Sequence, residues 1–113
     1  MEDLKSIPII PVRMGSPGLK NSELGTYLDQ LPEWELLEID GVKRLTREFK
    51  FRNFAEALQF TNQVGELAEQ EDHHPAILTE WGKVTVTWWT HVVNGLHLND
   101  FISAAKTDQI FTG

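Results

Sequence analysis

The sequence contains no cysteine, which excludes disulfides, thiolate metal sites and cysteine nucleophiles together. No apolar run approaches the ~20 residues that a helical membrane span requires. Positive charge is scarce: ten Lys and Arg stand against seventeen Asp and Glu, for a net charge of −7. Direct binding to nucleic acid needs a surplus of cations on one face and is not expected. The modest cluster of Lys43, Arg44, Arg47, Lys50 and Arg52 is expected on the solvated side of a hairpin. There is no P-loop, no GxGxxG after a strand and no GxSxG, so nucleotide and serine-hydrolase chemistry lack support. The start of the chain carries acids at Glu2 and Asp3, and Pro8 and Pro11 break its apolar stretch, a poor fit to a secretory signal or transit peptide. A cytoplasmic location is expected.

What is present suits one domain. In 113 residues, 41% are hydrophobic, enough for a single core. Residues 1–22 hold Pro8, Pro11, Gly15, Pro17 and Gly18 and read as an extended arm, although its apolar "IPIIPV" suits docking, whether over the site, along an edge strand or on a partner. From Asn21 or Ser22, Leu24, Tyr27, Leu28 and Leu31 recur at helical spacing, and the helix should end by Pro32. Trp34 to Ile39 and Val42 to Phe51 read as strands joined by Asp40-Gly41 in a type I′ turn. Leu45, Phe49 and Phe51 share the buried parity; Arg44, Glu48 and Lys50 take the wet one.

Asn53 and Glu56 have capping-box spacing, and a helix should follow to about Glu71. Its apolar stripe is expected at Phe54, Ala57, Leu58, Thr61, Val64 and Ala68, widened by Phe60 and Leu67. Ile77 to Trp81 and Val84 to Thr90 suggest a second hairpin around Gly82-Lys83 as a type II′ turn. That register pairs Trp81 with Val84, Thr79 with Val86 and Ile77 with Trp88, all facing the core. A last helix, from about Leu98 to Ile110, presents Leu98, Phe101, Ile102 and Ala105. The order α-β-β-α-β-β-α predicts an α+β two-layer sandwich, a four-stranded antiparallel sheet with helices on one face, over residues 23–113.

Three of the four histidines fall in or beside the second hairpin. His73 and His74 sit at a helix exit and His91 near the end of the last strand, and the hairpin folds them toward one another. Histidine titrates near ~6.5, so a pair supplies an acid and a base at cellular pH. Glu69, one helical turn before His73, is expected to orient it, with Asp72 and Asp100 as further candidates. The same residues also suit plainer roles: a polar helix exit, packing tryptophans at Trp88 and Trp89, and a first-turn acid at Asp100 favoured by the helix dipole. Adjacent residues on an extended segment diverge and no HExxH is present, so no metal is expected.

With its flanks, the segment Glu69, His73, His74, Pro75, Trp81, Thr90, His91, Gly95, Leu96 and Asp100 resembles the signature of the pterin-4a-carbinolamine dehydratase family. One vertebrate member of that family is also a dimerisation cofactor of a homeodomain transcription factor. The resemblance runs from about Leu24 to Phe111. It implies a four-stranded antiparallel sheet with helices on one side, a homodimer or homotetramer, and loss of water from 4a-hydroxytetrahydropterin without metal or redox cofactor. That step returns the pterin of aromatic amino acid hydroxylases to its reductase, which makes a hydroxylase or another protein a candidate partner. It assigns His73, His74 and His91 to the active site, with His73 and His91 as the acid and base pair and His74 orienting the pterin. Glu69 and Asp100 become supporting acids, and Asp72, Pro75, Trp81 and Trp89 border the substrate. Many members carry tryptophan where this chain has Ile77, so Trp89 is expected to supply the aromatic wall. The alternative is a non-catalytic relative that binds proteins; loss of one of the three histidines would favour it, and all three are present.

Overall fold

Two hairpins make the sheet, and the joining helix turns one beside the other. The computed structural model describes residues 3–13 and 16–112. Met1, Glu2, Met14 and Gly15 of the expected arm, and Gly113, lie outside the described residues. Helices α1 (Asn21–Leu28), α2 (Phe54–Glu71) and α3 (Leu98–Thr112) alternate with strands β1 (Glu35–Ile39), β2 (Val42–Lys50), β3 (Ala76–Glu80) and β4 (Lys83–Trp88). The sheet order is β1-β2-β4-β3, antiparallel throughout. The protein is therefore an α+β two-layer sandwich with the expected element order.

Local chemistry explains the elements. Asp40 and Gly41 both take positive φ, 52° and 78°, as a type I′ turn demands. At the start of α2, Asn53 Oδ1 accepts from the Glu56 amide at 2.9 Å. The Glu56 carboxylate reaches past Asn53 to the Arg52 amide and guanidinium, a variant of the expected reciprocal cap. Leu45, Phe49, Val84, Val86 and Trp88 on the inner face bury against Ala57, Phe60, Val64 and Ala68 of α2 and Phe101, Ile102 and Ala104 of α3. Each such side chain contributes about 1.5–3 kcal/mol when large and fully buried.

Four expectations need correction. The second turn is Trp81-Gly82, closed by Glu80 opposite Lys83, with φ +75° at Gly82. Val84 consequently faces Thr79 and Val86 faces Ile77, two residues from the expected register. Trp81 leaves the core for the turn tip and is 74% exposed. On α2, Phe54 and Leu58 are exposed, because the buried stripe passes through Ala57, Phe60, Val64 and Ala68 instead. Arg47 is not solvated: it shares the inward parity of Leu45 and Phe49, donates to Asp108 at 2.7 Å and lies 4.3 Å from the Phe49 ring. Trp34 Nε1 donates to the same carboxylate at 2.8 Å. Burial pushes the Asp108 carboxyl up, while these two donors oppose the shift.

Candidate active site

The histidine pair sits where α2 unwinds. Asp72 ends the helix in the left-handed region (φ 50°, ψ 42°), which short polar side chains tolerate. The His73 amide returns to Ala68 O at 3.2 Å. This break turns His73 inward and His74 outward, and Pro75 leads directly into β3. The consequence corrects an expectation: Glu69 is within hydrogen-bond distance of His74, not of His73. Both partners of that pair are largely exposed, 53% and 78%, so it adds little to stability.

His73 is held from two sides. Its ring stacks on fully buried Trp88, with centroids 5.2 Å apart and planes at 28°. Its Nε2 lies 2.7 Å from Asp100 Oδ1. A carboxylate accepts, so Nε2 carries the proton in this contact and Nδ1 is the nitrogen left for a reacting group.

Asp100 serves two structures at once. It has no exposed surface and lies in the first turn of α3. Its Oδ2 accepts from the amide of His97, the residue before the helix, at 2.9 Å, and from Thr90 Oγ1 at 2.7 Å. His97 Nδ1 in turn accepts from the Asn99 amide at 3.0 Å. Together these two contacts cap the helix reciprocally, the His97 side chain taking the second helical amide and Asp100 taking the amide of His97. The acid that starts α3 with one oxygen thus orients His73 with the other, so the helix-capping and supporting-acid readings of Asp100 describe one residue.

Burial lowers the His97 pKa, with Asp100 opposing and His73 reinforcing the shift. A depressed histidine means that the unfolded chain binds a proton which the folded chain refuses. Stability therefore falls as pH drops below the ordinary ~6.5 of histidine, through the window down to the folded value. His97→Asn keeps an acceptor for the Asn99 amide and removes the titration. Its melting temperature, scanned between about pH 7.5 and 5, should decline less steeply than that of the wild type.

Beyond β4 the chain forms a small closed loop. Thr90 and Gly95 bridge, the Thr90 amide donating to Gly95 O at 2.8 Å, and Asn94 takes φ 54°. A 3-10 turn at His91–Val93 displays His91, which is exposed. Trp89 lies edge-on to it at 5.0 Å, and the Arg44 guanidinium covers the Trp89 ring at 4.1 Å. The indole is thereby fixed between a cation and the histidine.

His73, His74 and His91 line one cleft of about 590 Å³, together with Asp72, Trp89 and Thr90, a size ordinary for a small-molecule site. The fold does not bring Trp81 there; it stands at the far turn of the β3–β4 hairpin. Pro75 positions the entry to β3 and is not among the lining residues. Two features of the cleft were not anticipated: Thr90 is a donor to Asp100, and Asn99 is a buried lining residue. Of the places open to the arm, it takes the site, where Ile9 to Val12 line the cleft. Among the described residues no group of three or more His, Asp or Glu is arranged to hold a metal ion.

Comparison with known proteins agrees with this architecture. The family profile described as pterin 4 alpha carbinolamine dehydratase matches residues 17–110. A protein of Syntrophotalea carbinolica, provisionally named a pterin-4-alpha-carbinolamine dehydratase, is 59% identical over 87% of this chain and 88% of its own length. One from Nitrosococcus oceani with the same provisional name is 56% identical over 97% of both chains. The crystal structure of a transcriptional coactivator/pterin dehydratase from Brucella melitensis superposes with a TM-score of 0.75 at 36% identity, covering 83% of this chain and 98% of that one. A pterin dehydratase-like RuBisCO assembly factor of the alpha-carboxysome shares the fold, with a TM-score of 0.59 at 20% identity over 69% of this chain and 88% of its own.

Proposed function

The chain belongs to the pterin 4 alpha carbinolamine dehydratase family, and from that premise we propose that it dehydrates 4a-hydroxytetrahydropterin by histidine acid–base catalysis. The observation that carries the reading is the cleft itself: three histidines converge there, one of them oriented by a fully buried aspartate. The reaction breaks the C4a–O bond and removes the proton of N5. The oxygen departs as water once protonated, and the N5 electron pair forms the C4a=N5 double bond of quinonoid dihydropterin.

Each part of that chemistry has a residue suited to it. His73 offers Nδ1, with Asp100 behind Nε2 to stabilise the imidazolium or to fix the neutral tautomer. His91 stands on a separate loop bordering the same cleft and supplies the second proton-transfer group. His74, steadied by Glu69, binds and orients the pterin. Trp89 gives the flat ring a wall to stack on, in the part expected of the aromatic replaced by Ile77. Asp72 borders the same cleft. The product would feed tetrahydropterin recycling for aromatic amino acid hydroxylation, with a hydroxylase as the candidate protein partner. We further propose assembly as a homodimer or homotetramer; exposed Phe54, Leu58, Leu78 and Trp81 are among the apolar side chains available for it.

The test is stopped-flow absorbance of freshly generated 4a-hydroxytetrahydropterin, with and without chelator. Quinonoid product forming faster than in buffer, unaffected by chelator, is the expected result. Buffer-rate formation by folded protein would favour a non-catalytic protein-binding relative. Activity lost to chelator would favour metal-dependent chemistry.

A further inference from the structure

The backbone that leads into α1 holds the loop that carries His91. The Leu19 amide donates to Leu96 O at 2.9 Å. One residue earlier the chain runs so close that a Cβ on Gly18 would lie 3.3 Å from Leu96 O and 3.7 Å from Val93 Cβ. The first distance is inside ordinary van der Waals contact, so a larger residue at 18 must displace part of the segment 93–96. The arm has anchors upstream as well. The buried Asn99 side chain accepts from the Ile10 amide at 3.1 Å and donates to Ile10 O at 2.6 Å, and Leu4 is buried in the core against α3.

The loop has two legs and a wet tip. His91 and Val92 at the tip are exposed, and a single 3-10 turn gives them no long element to lean on. The Thr90 leg is tied to the fold through its hydroxyl, which donates to Asp100. The Val93–Leu96 leg is the one that Gly18 and Leu19 hold, and Thr90 and Gly95 join the two legs through reciprocal backbone bonds of 2.8 and 3.3 Å. Proton transfer requires donor and acceptor within about 2.6–3.2 Å, and a misplacement of ~1 Å can cost about 100-fold in rate. Neither Gly18 nor Leu19 is among the described residues that line the cleft, so whatever they contribute to the reaction passes through the loop.

Resting on the dehydratase reading, we propose that Gly18 and Leu19 are positioning residues for His91: the backbone before α1, pressed against residues 93–96, fixes where the second proton-transfer group stands at the rim of the cleft. The two residues have separate parts. The missing side chain of Gly18 permits the close approach, and the Leu19 amide secures it to Leu96 O.

The experiment measures kcat and KM for 4a-hydroxytetrahydropterin in the full-length wild type, in Gly18→Ala and Gly18→Val, and in a chain with an ester in place of the Leu19 amide. The ester deletes the donor to Leu96 O and adds no bulk. Gly18→Val should lower kcat about tenfold or more and leave KM within about twofold, because it moves His91 and not the groups that bind the pterin. Gly18→Ala and the ester should each lower kcat about threefold. A double-mutant cycle separates positioning from general loosening of the fold. In a His91→Ala background, Gly18→Val should change the residual rate by less than about twofold, since the group it acts through is gone.

A folded Gly18→Val with the wild-type kcat would overturn the proposal. So would a full tenfold loss in the His91→Ala background, or a loss carried by KM with kcat unchanged. If Gly18→Val does not fold, Gly18→Ala and the ester decide by the same signs at their smaller magnitude. Absence of turnover by the wild type would sink the dehydratase reading instead. The brace is then judged by hydrogen exchange of the Thr90 and Gly95 amides, with the Val86 amide of central strand β4 reporting global stability. Exchange about tenfold faster in Gly18→Val at Thr90 and Gly95, with Val86 unchanged, supports the brace; equal protection of the loop amides in wild type and variant refutes it.

Discussion

Replacing either His73 or His91 by alanine is expected to lower kcat for 4a-hydroxytetrahydropterin by about 100-fold or more, the usual contribution of a positioned proton donor or acceptor. The two variants differ in what else they disturb. His91 is exposed on its loop, so its removal should leave the melting temperature nearly unchanged, and the loss of rate can be read as chemistry. His73 is largely buried and is one of three donors to Asp100. Its loss should also cost about 1–3 kcal/mol of stability, the range for breaking a buried charge-assisted hydrogen bond. His74→Ala should act mainly on KM, because His74 is half-exposed and its partner Glu69 more so. Equal losses of kcat in all three variants would remove the distinction drawn between proton transfer and orientation.

The second large effect concerns Asp100. Asp100→Ala strands three donors in a site closed to solvent: His73 Nε2–H, the Thr90 hydroxyl and the His97 amide. At about 1–3 kcal/mol for each unsatisfied group, this variant should be destabilised by at least ~3 kcal/mol and populate its folded state poorly. Asp100→Asn is the more informative change. Its one carbonyl oxygen can still cap α3 and accept from Thr90, but its NH2 then faces His73 Nε2. The imidazole must become an acceptor there and carry its proton on Nδ1, toward the cleft, which is the wrong tautomer for a neutral base. A fall in kcat of about 100-fold with a modest loss of stability is expected, together with a displaced pH–rate profile. If Asp100→Asn lost stability but kept kcat and the pH profile, the carboxylate would be a helix cap alone.

The sheet and its helices were legible in the sequence because each depended on short-range rules. Asp40-Gly41 permits few alternatives to a type I′ turn, and Asn53 before the apolar stripe of α2 marks a helix start. The second hairpin shows where such rules run out. Glu80-Trp81-Gly82-Lys83 can place its glycine first in a type II′ turn or second, where positive φ is equally well accommodated. The chain adopts the second arrangement, and that choice moves Trp81 from the core to the surface.

The site was legible to a similar depth. The histidines lay in a recognisable pattern, but their partners depended on where the helix stops. An unbroken α2 would set Glu69 beside His73; the left-handed Asp72 passes that contact to His74. Arg47 has the parity of a core residue, and only the opposing face of α3, with Asp108, shows why a charge is tolerated there. The arm has no periodicity to read. Its seat rests on partners distant in sequence: the core around Leu4, the buried Asn99 amide that holds Ile10, and Leu96, which accepts from the Leu19 amide.

The central claim is that the histidine cleft itself removes water from the pterin. It is tested most directly by measuring product formation for the wild type and for the His73→Ala, His91→Ala double variant in one experiment, against a buffer baseline and with folding verified by circular dichroism. The wild type should exceed the double variant by about 1,000-fold, within the reach of two proton-transfer groups, and the double variant should approach the baseline. A folded double variant that retains the wild-type rate would contradict the assignment of catalysis to these side chains.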